Sequence, residues 1–256
     1  MKSLIIYLFL QNMLLLLLFA KDENDGEKEI FKGQRWTASN VVFIIFPMTI
    51  FILFLYFVVY YLSRLTNTDL FIPTAKYYPY ALLLFATLLL IVSFRSKKQG
   101  IRVLGVQKEN LRKIISVGLG VSLLSYASYL ILYLLMKQLK PHFCLMSSLI
   151  ARQYLSSPVS FVIYFFANVF WGPIVEESMY RGVIYSPYRK KFGPKIAILI
   201  TSLLSSFVHF EITFASVLIG VLWGILYEKT ESIVSPVVAH SIHNLLWLLT
   251  EIYVLN

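Results

Sequence analysis

The stretch that decides the fold is NVFWGPIVEESMYR, residues 168–181, in which two adjacent carboxylates and an arginine interrupt an apolar segment. An ionised side chain at the centre of a bilayer costs about 2.5–3.5 kcal/mol on insertion scales, so such residues usually mark a functional site. Glu177 and Arg181 stand four residues apart with the acid first, the favourable order for an ion pair within a helix. Glu176 is rotated by about 100° and can face another partner. The plainer alternative is a helix-end anchor in the headgroup region.

The whole chain has the composition of a membrane protein, with 58% hydrophobic and 14% charged residues among 256, against about 25% charged in soluble chains. No alternating pattern of barrel strands is present, so helices must satisfy the backbone in lipid. We predict an all-α polytopic helix bundle of about eight helices, or seven if the first is cleaved or does not span. The apolar segments run roughly over residues 3–20, 40–62, 78–94, 114–136, 158–185, 196–210, 213–227 and 233–254.

The net charge of +10 is explained better by the excess of basic residues in cytoplasmic loops of membrane proteins than by nucleic-acid binding. The basic residues concentrate in connectors between apolar segments. Both basic connectors are predicted to be cytoplasmic. Counting spans from them, the helix of Glu176 runs towards the cytoplasm and the helix of His240 starts there, so the site is predicted in the cytoplasmic half of a multi-pass protein. The connector residues are Arg95, Lys97, Lys98, Arg102, Lys108, Arg112 and Lys113, then Arg189, Lys190, Lys191 and Lys195.

Two regions are predicted from this organisation. Residues 1–113 comprise N-terminal membrane helices and a basic cytoplasmic connector, and residues 114–256 form the region that carries the polar motifs. The first apolar stretch is either a signal peptide or a retained span, and the absence of a small-x-small cleavage pattern favours retention. The single cysteine, Cys144, excludes an intrachain disulfide and a cysteine-based metal cluster.

Two small-residue features affect the helices themselves. Gly172-Pro173 lies one turn before the acidic pair, and an interior proline removes a backbone hydrogen bond and normally kinks a helix. Such breaks line cavities in membrane proteins, although an ordinary packing kink is equally compatible. Ser216, Gly220 and Gly224 form a small-xxx-small stripe, which predicts close approach of a neighbouring helix.

Three of the four histidines, His209, His240 and His243, fall in apolar segments of the last two-fifths of the chain. His240 and Asn244 stand four residues apart, so both side chains project from one helix face. An imidazole N–H and an amide N–H directed at one carbonyl oxygen would form an oxyanion site. His243 lies on a neighbouring face and is equally compatible with a supporting role.

The motifs Glu176-Glu177-Ser-Met-Tyr-Arg181 (EExxxR), His209, and His240-Ser-Ile-His-Asn244 (HxxxN) follow in order on successive predicted helices. In this order they resemble the CPBP (Abi) family of intramembrane proteases, which includes type II CAAX prenyl endopeptidases and bacteriocin-processing or self-immunity proteins. The resemblance covers roughly residues 114–255. One departure is the family motif FxxxH, since Ser205 stands where the family has phenylalanine.

The resemblance implies an intramembrane endopeptidase in which Glu176 and His209 activate a water, His240 and Asn244 stabilise the oxyanion, and Glu177 and Arg181 support the site. Alternatively, Glu176, His209 and His240 supply three ligands to Zn²⁺ and leave one position for water. No HExxH pair is present, so a metal ranks second. The implied partners are membrane lipids and a peptide or protein substrate, which prenylation would anchor, and no nucleic acid.

Two other function classes are compatible with the same residues. A non-catalytic membrane scaffold or a bacteriocin self-immunity protein would explain the departure at Ser205. An ion or proton-coupled transporter would also place Glu and His in the membrane, but transporters typically show paired repeats with matching broken helices, and this sequence has one such break.

Overall fold

The computed structural model describes residues 36–66, 77–97, 110–139, 157–208 and 214–253. Every regular element in these ranges is helical, which confirms the predicted all-α class. Three helices come first: α1 (Ala38–Thr66), α2 (Tyr78–Lys97) and α3 (Leu111–Leu139). Two helices, α7 (Phe214–Thr230) and α8 (Val234–Tyr253), end the described part of the chain.

Between α3 and α7 lies one long composite helix. It comprises α4 (Pro158–Phe166), a π-helical turn (Ala167–Trp171), α5 (Gly172–Glu177), a second π-helical segment (Ser178–Ile184) and α6 (Tyr185–Val208). The helix is bent within α6 at Gly193, whose φ of 76° and ψ of 172° lie outside the helical region, and Pro194 follows. Glycine reaches positive φ without the penalty that a Cβ imposes.

Seven of the eight predicted helices fall in the described ranges, which contain six helical units when the composite helix is counted once. The segments predicted at 158–185 and 196–210 are joined, because Gly193 bends the helix within one residue and no loop intervenes. The first predicted helix, over residues 3–20, lies outside the described residues.

The chain is an integral membrane protein. Three helical stretches are long and apolar enough to cross a bilayer, Ala38–Thr66, Leu111–Leu139 and Pro158–Ser206, and Tyr80–Arg95 is a shorter apolar helix. Large apolar side chains such as Phe54 and Phe57 of α1 point outward, with 58% and 65% of their surface exposed. Outward apolar faces of this kind suit contact with lipid.

Packing places the composite helix at the centre of the described part. Its residues share one apolar core with α1 and α2, and the Trp171 indole also donates a hydrogen bond of 3.1 Å to Thr87 Oγ1 of α2. Helix α8 packs along α3, and α7 contacts α3, α6 and α8. The described helices of both predicted regions thus meet at the composite helix, while the boundary near residue 113 stays a prediction.

The second basic cluster is not a connector as predicted. Arg189, Lys190 and Lys191 lie in α6, and Arg189 and Lys191 are buried. Arg189 binds Glu228 of α7 through both nitrogens of its fork, Nε at 3.0 Å and Nη2 at 3.1 Å, and the Tyr185 hydroxyl donates to the same carboxylate at 2.7 Å. Sequence periodicity could not reveal this, since the acid is supplied by a different helix.

The predicted small-residue stripe on α7 is a packing surface against α6. A Cβ added at Gly220 would lie 2.9 Å from Ser202 Cβ and 3.1 Å from Ser202 Cα, and one at Gly224 would lie 2.9 Å from Ile198 Cγ2. Gly118 has the same role in α3, where an added Cβ would lie 2.8 Å from the Ser235 carbonyl oxygen of α8. These contacts require a bare backbone at each position.

We expect Gly220→Ala to destabilise the protein by about 1–3 kcal/mol, because the added methyl forces α6 and α7 apart. Gly120→Ala is the matched control, since a Cβ there would have no atom within 4 Å. The control should leave stability unchanged or raise it by about 0.5–1 kcal/mol through better helix propensity. Thermal unfolding of the two purified variants in one detergent measures the difference. Equal melting temperatures would contradict the packing assignment.

Candidate functional site

The centre of the site is the carboxylate of Glu177, which is fully buried. Its Oε1 accepts hydrogen bonds from Arg181 Nη1 at 3.1 Å and from His240 Nδ1 at 3.0 Å. The predicted ion pair between Glu177 and Arg181 is therefore confirmed. Arg181 also donates from Nη2 to the Gly220 carbonyl oxygen of α7 at 2.9 Å. One buried charge pair thus joins the composite helix to α7 and α8.

Glu177 fixes the imidazole of His240 from one side, and an aromatic ring fixes it from another. Trp223 of α7 stacks on His240 with ring centroids 4.2 Å apart and an interplanar angle of 26°. Because Nδ1 is engaged with Glu177, Nε2 is the ring nitrogen that could contact another group. The sequence analysis missed Trp223, since no spacing relates it to the motifs and the contact depends on how α7 and α8 pack.

Asn244 follows His240 by one turn of α8, as the HxxxN spacing requires, but it makes a contact that the sequence did not predict. Its Nδ2 donates a hydrogen bond of 2.8 Å to the backbone carbonyl oxygen of Asn168, in the first π-helical turn. The side chain of Asn244 is half-buried. An amide nitrogen carries two N–H groups, so this bond uses one of the two.

His243 contacts α3. Its Nδ1 lies 3.3 Å from the Ser125 hydroxyl, and Tyr129 packs edge-on against its ring with centroids 5.5 Å apart. The ring is also edge-on to Trp223, at 5.7 Å. His243 therefore supports the packing of α8 on α3, the second of the two roles that the sequence left open.

Glu176 and Glu177 occupy different environments although they are neighbours in sequence. Glu176 is half-buried, and its Oε1 turns back towards Gly172, where an added Cβ would lie 3.8 Å away. A carboxylate that is partly accessible can reach water and substrate, whereas Glu177 cannot. Glu176 is therefore the more accessible of the two acids, and the division of roles between them stays a prediction.

The second motif is only partly described. His209 lies outside the described residues. Ser205, which stands where the family has phenylalanine, is half-buried and donates its hydroxyl to the Ser202 carbonyl oxygen of α6 at 3.0 Å. The substitution is thereby accommodated within the helix by a local hydrogen bond.

The predicted kink at Gly172-Pro173 takes the form of a π-helical turn directly before the proline. Gly172 N–H donates to the Ala167 carbonyl oxygen, five residues back instead of four. A Cβ at Gly172 would lie 2.9 Å from that oxygen, so the turn requires glycine. π-Helical turns of this kind are frequent at functional sites, and here they flank the short α5 that carries both acids.

A metal site can be assessed only in part. Within the described ranges, no three His, Cys, Asp or Glu side chains cluster closely enough to hold an ion. The predicted ligand set includes His209, which lies outside those ranges. His240 could contribute only Nε2, because Nδ1 is bound to Glu177.

Comparison with known proteins bears on the same region. Residues 158–246 match the family model described as Type II CAAX prenyl endopeptidase Rce1-like. The match spans α4 to α8 and contains every described residue of the site. No curated protein and no solved structure matches the chain. Residues 158–246, about a third of the chain, are therefore similar to the CPBP family, which confirms the resemblance that the motifs predicted.

Proposed function

We propose that the protein is an intramembrane endopeptidase that hydrolyses a peptide bond with a water activated by Glu176. The observation that carries the proposal is the buried chain from Arg181 through Glu177 to His240, placed beside a more accessible carboxylate. A buried charged network of this kind is costly, and its retention inside a membrane protein is typical of a functional site.

In the proposed reaction, Glu176, assisted by His209, removes a proton from water, and the oxygen attacks the peptide carbonyl carbon. The carbonyl oxygen becomes an oxyanion. As the C–N bond breaks, the proton held by Glu176 passes to the leaving amine, so that a carboxylic acid and an amine are released and Glu176 returns to its carboxylate form. Proton transfer by a positioned carboxylate contributes typically about 10²–10⁴-fold to the rate.

His240 and Asn244 are the proposed donors to the oxyanion. In its imidazolium form, His240 donates Nδ1–H to Glu177 and has Nε2–H for the substrate. Asn244 has its second amide N–H for the same oxygen. Both side chains are held by other groups before a substrate binds, which is the pre-organisation that makes oxyanion donors effective.

The proposed substrate is a peptide held at the membrane. The family description makes a prenylated C-terminal peptide the first candidate, and leader peptides or bacteriocin precursors are the others. We further propose that the chain is multi-pass and that the site opens towards the cytoplasmic half of the bilayer, following the basic residues at the connection between α2 and α3. Cleavage of a fluorogenic prenylated peptide in nanodiscs, compared with its unprenylated form, tests the substrate class.

A non-catalytic scaffold or self-immunity role is the second candidate, favoured by the departure at Ser205. Under that role, a cellular phenotype would survive Glu176→Gln and His209→Ala at unchanged expression. If the protein is a protease, both variants should lose the cellular phenotype.

We expect Glu176→Gln to lower kcat by at least about 100-fold, because the amide cannot accept the proton of water. Its melting temperature should stay close to that of the parent, since Glu176 is only half-buried. Glu231→Gln, in the turn between α7 and α8, is the matched control and should cleave normally. Full activity of Glu176→Gln against the same substrate would contradict the proposed role.

Glu177→Gln should behave differently. Removing this charge leaves Arg181 buried beside a neutral amide, and breaking a buried ion pair costs about 3–5 kcal/mol. Both the melting temperature and kcat should therefore fall. Thermal unfolding alongside the activity assay separates the two acids: a Glu177→Gln variant as stable as Glu176→Gln would show that Glu177 is not the structural member of the pair.

Chelation distinguishes the carboxylate mechanism from the zinc alternative. We expect activity to survive prolonged incubation with 1,10-phenanthroline, because the proposed proton transfers need only side chains. Elemental analysis of the purified protein provides the parallel measurement. Loss of activity that Zn²⁺ restores would instead assign Glu176, His209 and His240 as ligands, with the ion supplying an activated water.

A further inference from the structure

The backbone carbonyl of Asn168 lacks a donor from its own helix. In an α-helix it would accept from Gly172 N–H, four residues on, but that group donates to the Ala167 carbonyl oxygen. In a π-helix it would accept from residue 173, which is proline and has no N–H. The π-helical turn and the proline together therefore remove both the α-helical and the π-helical donor from this carbonyl.

Asn244 supplies the missing donor. Its Nδ2 lies 2.8 Å from the Asn168 carbonyl oxygen, in a hydrogen bond between the composite helix and α8. A backbone acceptor is a rigid anchor, since its position is set by the helix and not by a side-chain rotamer. With one N–H directed there, the planar amide has a defined orientation, and its second N–H points in a fixed direction.

We propose that Pro173 is a positioning residue for Asn244: its missing N–H keeps the Asn168 carbonyl available to hold the amide. The inference rests on the proposed function, in which Asn244 is an oxyanion donor. Gly172 completes the arrangement, because a Cβ there would lie 2.9 Å from the Ala167 carbonyl oxygen and disrupt the turn. Pro173 thus affects the position of Asn244 through the carbonyl oxygen of Asn168, which it does not contact as a hydrogen-bond donor.

The first test is Pro173→Ala in the full-length protein. Alanine restores an N–H that can bond within the helix, so Asn244 loses its anchor. We expect kcat to fall roughly tenfold or more, with KM changed less than about twofold. The melting temperature should stay equal or rise, because an interior proline disfavours a helix. Pro47→Ala, the matched control, removes a proline inside α1 and should leave kcat unchanged.

The second test is a thermal cycle that does not depend on activity. Asn244→Ala should lower the melting temperature by about 3 °C in the parent, because it leaves the Asn168 carbonyl without a donor. In the Pro173→Ala background, where the helix can supply the donor, the drop should be less than half as large. Equal drops in the two backgrounds would overturn the proposal.

The two tests separate the inference from the proposed function. Pro173 is supported as the positioning residue if Asn244→Ala lowers the melting temperature less in the Pro173→Ala background than in the parent, and if both single variants have a lowered kcat. A normal kcat for Pro173→Ala, when Asn244→Ala loses activity, would overturn it. A normal kcat for Asn244→Ala would overturn the oxyanion assignment and with it any catalytic role of Pro173, while coupling in the thermal cycle would still support the hydrogen-bond assignment.

Discussion

The rest of the structure depends on the hydrogen bonds that the buried carboxylate of Glu177 accepts from Arg181 and His240. A charge removed from water is tolerated only when its partners are close and well placed, and here two partners share one oxygen. Arg181 carries the link onward to the α7 backbone at Gly220. The composite helix, α7 and α8 must therefore meet at one point, and the close packing of α7 on α6 at Gly220 is part of the same requirement.

The composite helix also places two neighbouring acids, Glu176 and Glu177, in different surroundings. A π-helical turn inserts an extra residue and changes the face that the following side chains occupy. With one such turn before α5 and a second segment after it, the short helix holds Glu177 in the core and leaves Glu176 partly accessible. The helical repeat of about 100° separates the two side chains, and the π-helical segments on either side of α5 set the directions in which they point.

Much of this site could be predicted where the relevant geometry is local. Glu177 with Arg181 and His240 with Asn244 are four residues apart, and helical spacing alone places each pair on one face. The all-α class followed from hydropathy in the same way. Contacts between helices could not be predicted, because they depend on how the helices pack. They include the stacking of Trp223 on His240, the ion pair of Arg189 with Glu228, and the hydrogen bond from Asn244 to the Asn168 carbonyl oxygen. The predicted number of helices differs by one at Gly193, where a residue with positive φ bends the helix in place of an expected loop.

The anchor of Asn244 has a consequence for how sequences of this kind can diverge. Position 168 contributes a main-chain oxygen, which every amino acid possesses, so its side chain is free to vary without loss of that contact. Positions 172 and 173 contribute by what they lack, a Cβ and an N–H, and few residues can substitute for them. Two residues without any functional group are therefore harder to replace than the residue that supplies the hydrogen-bonding oxygen.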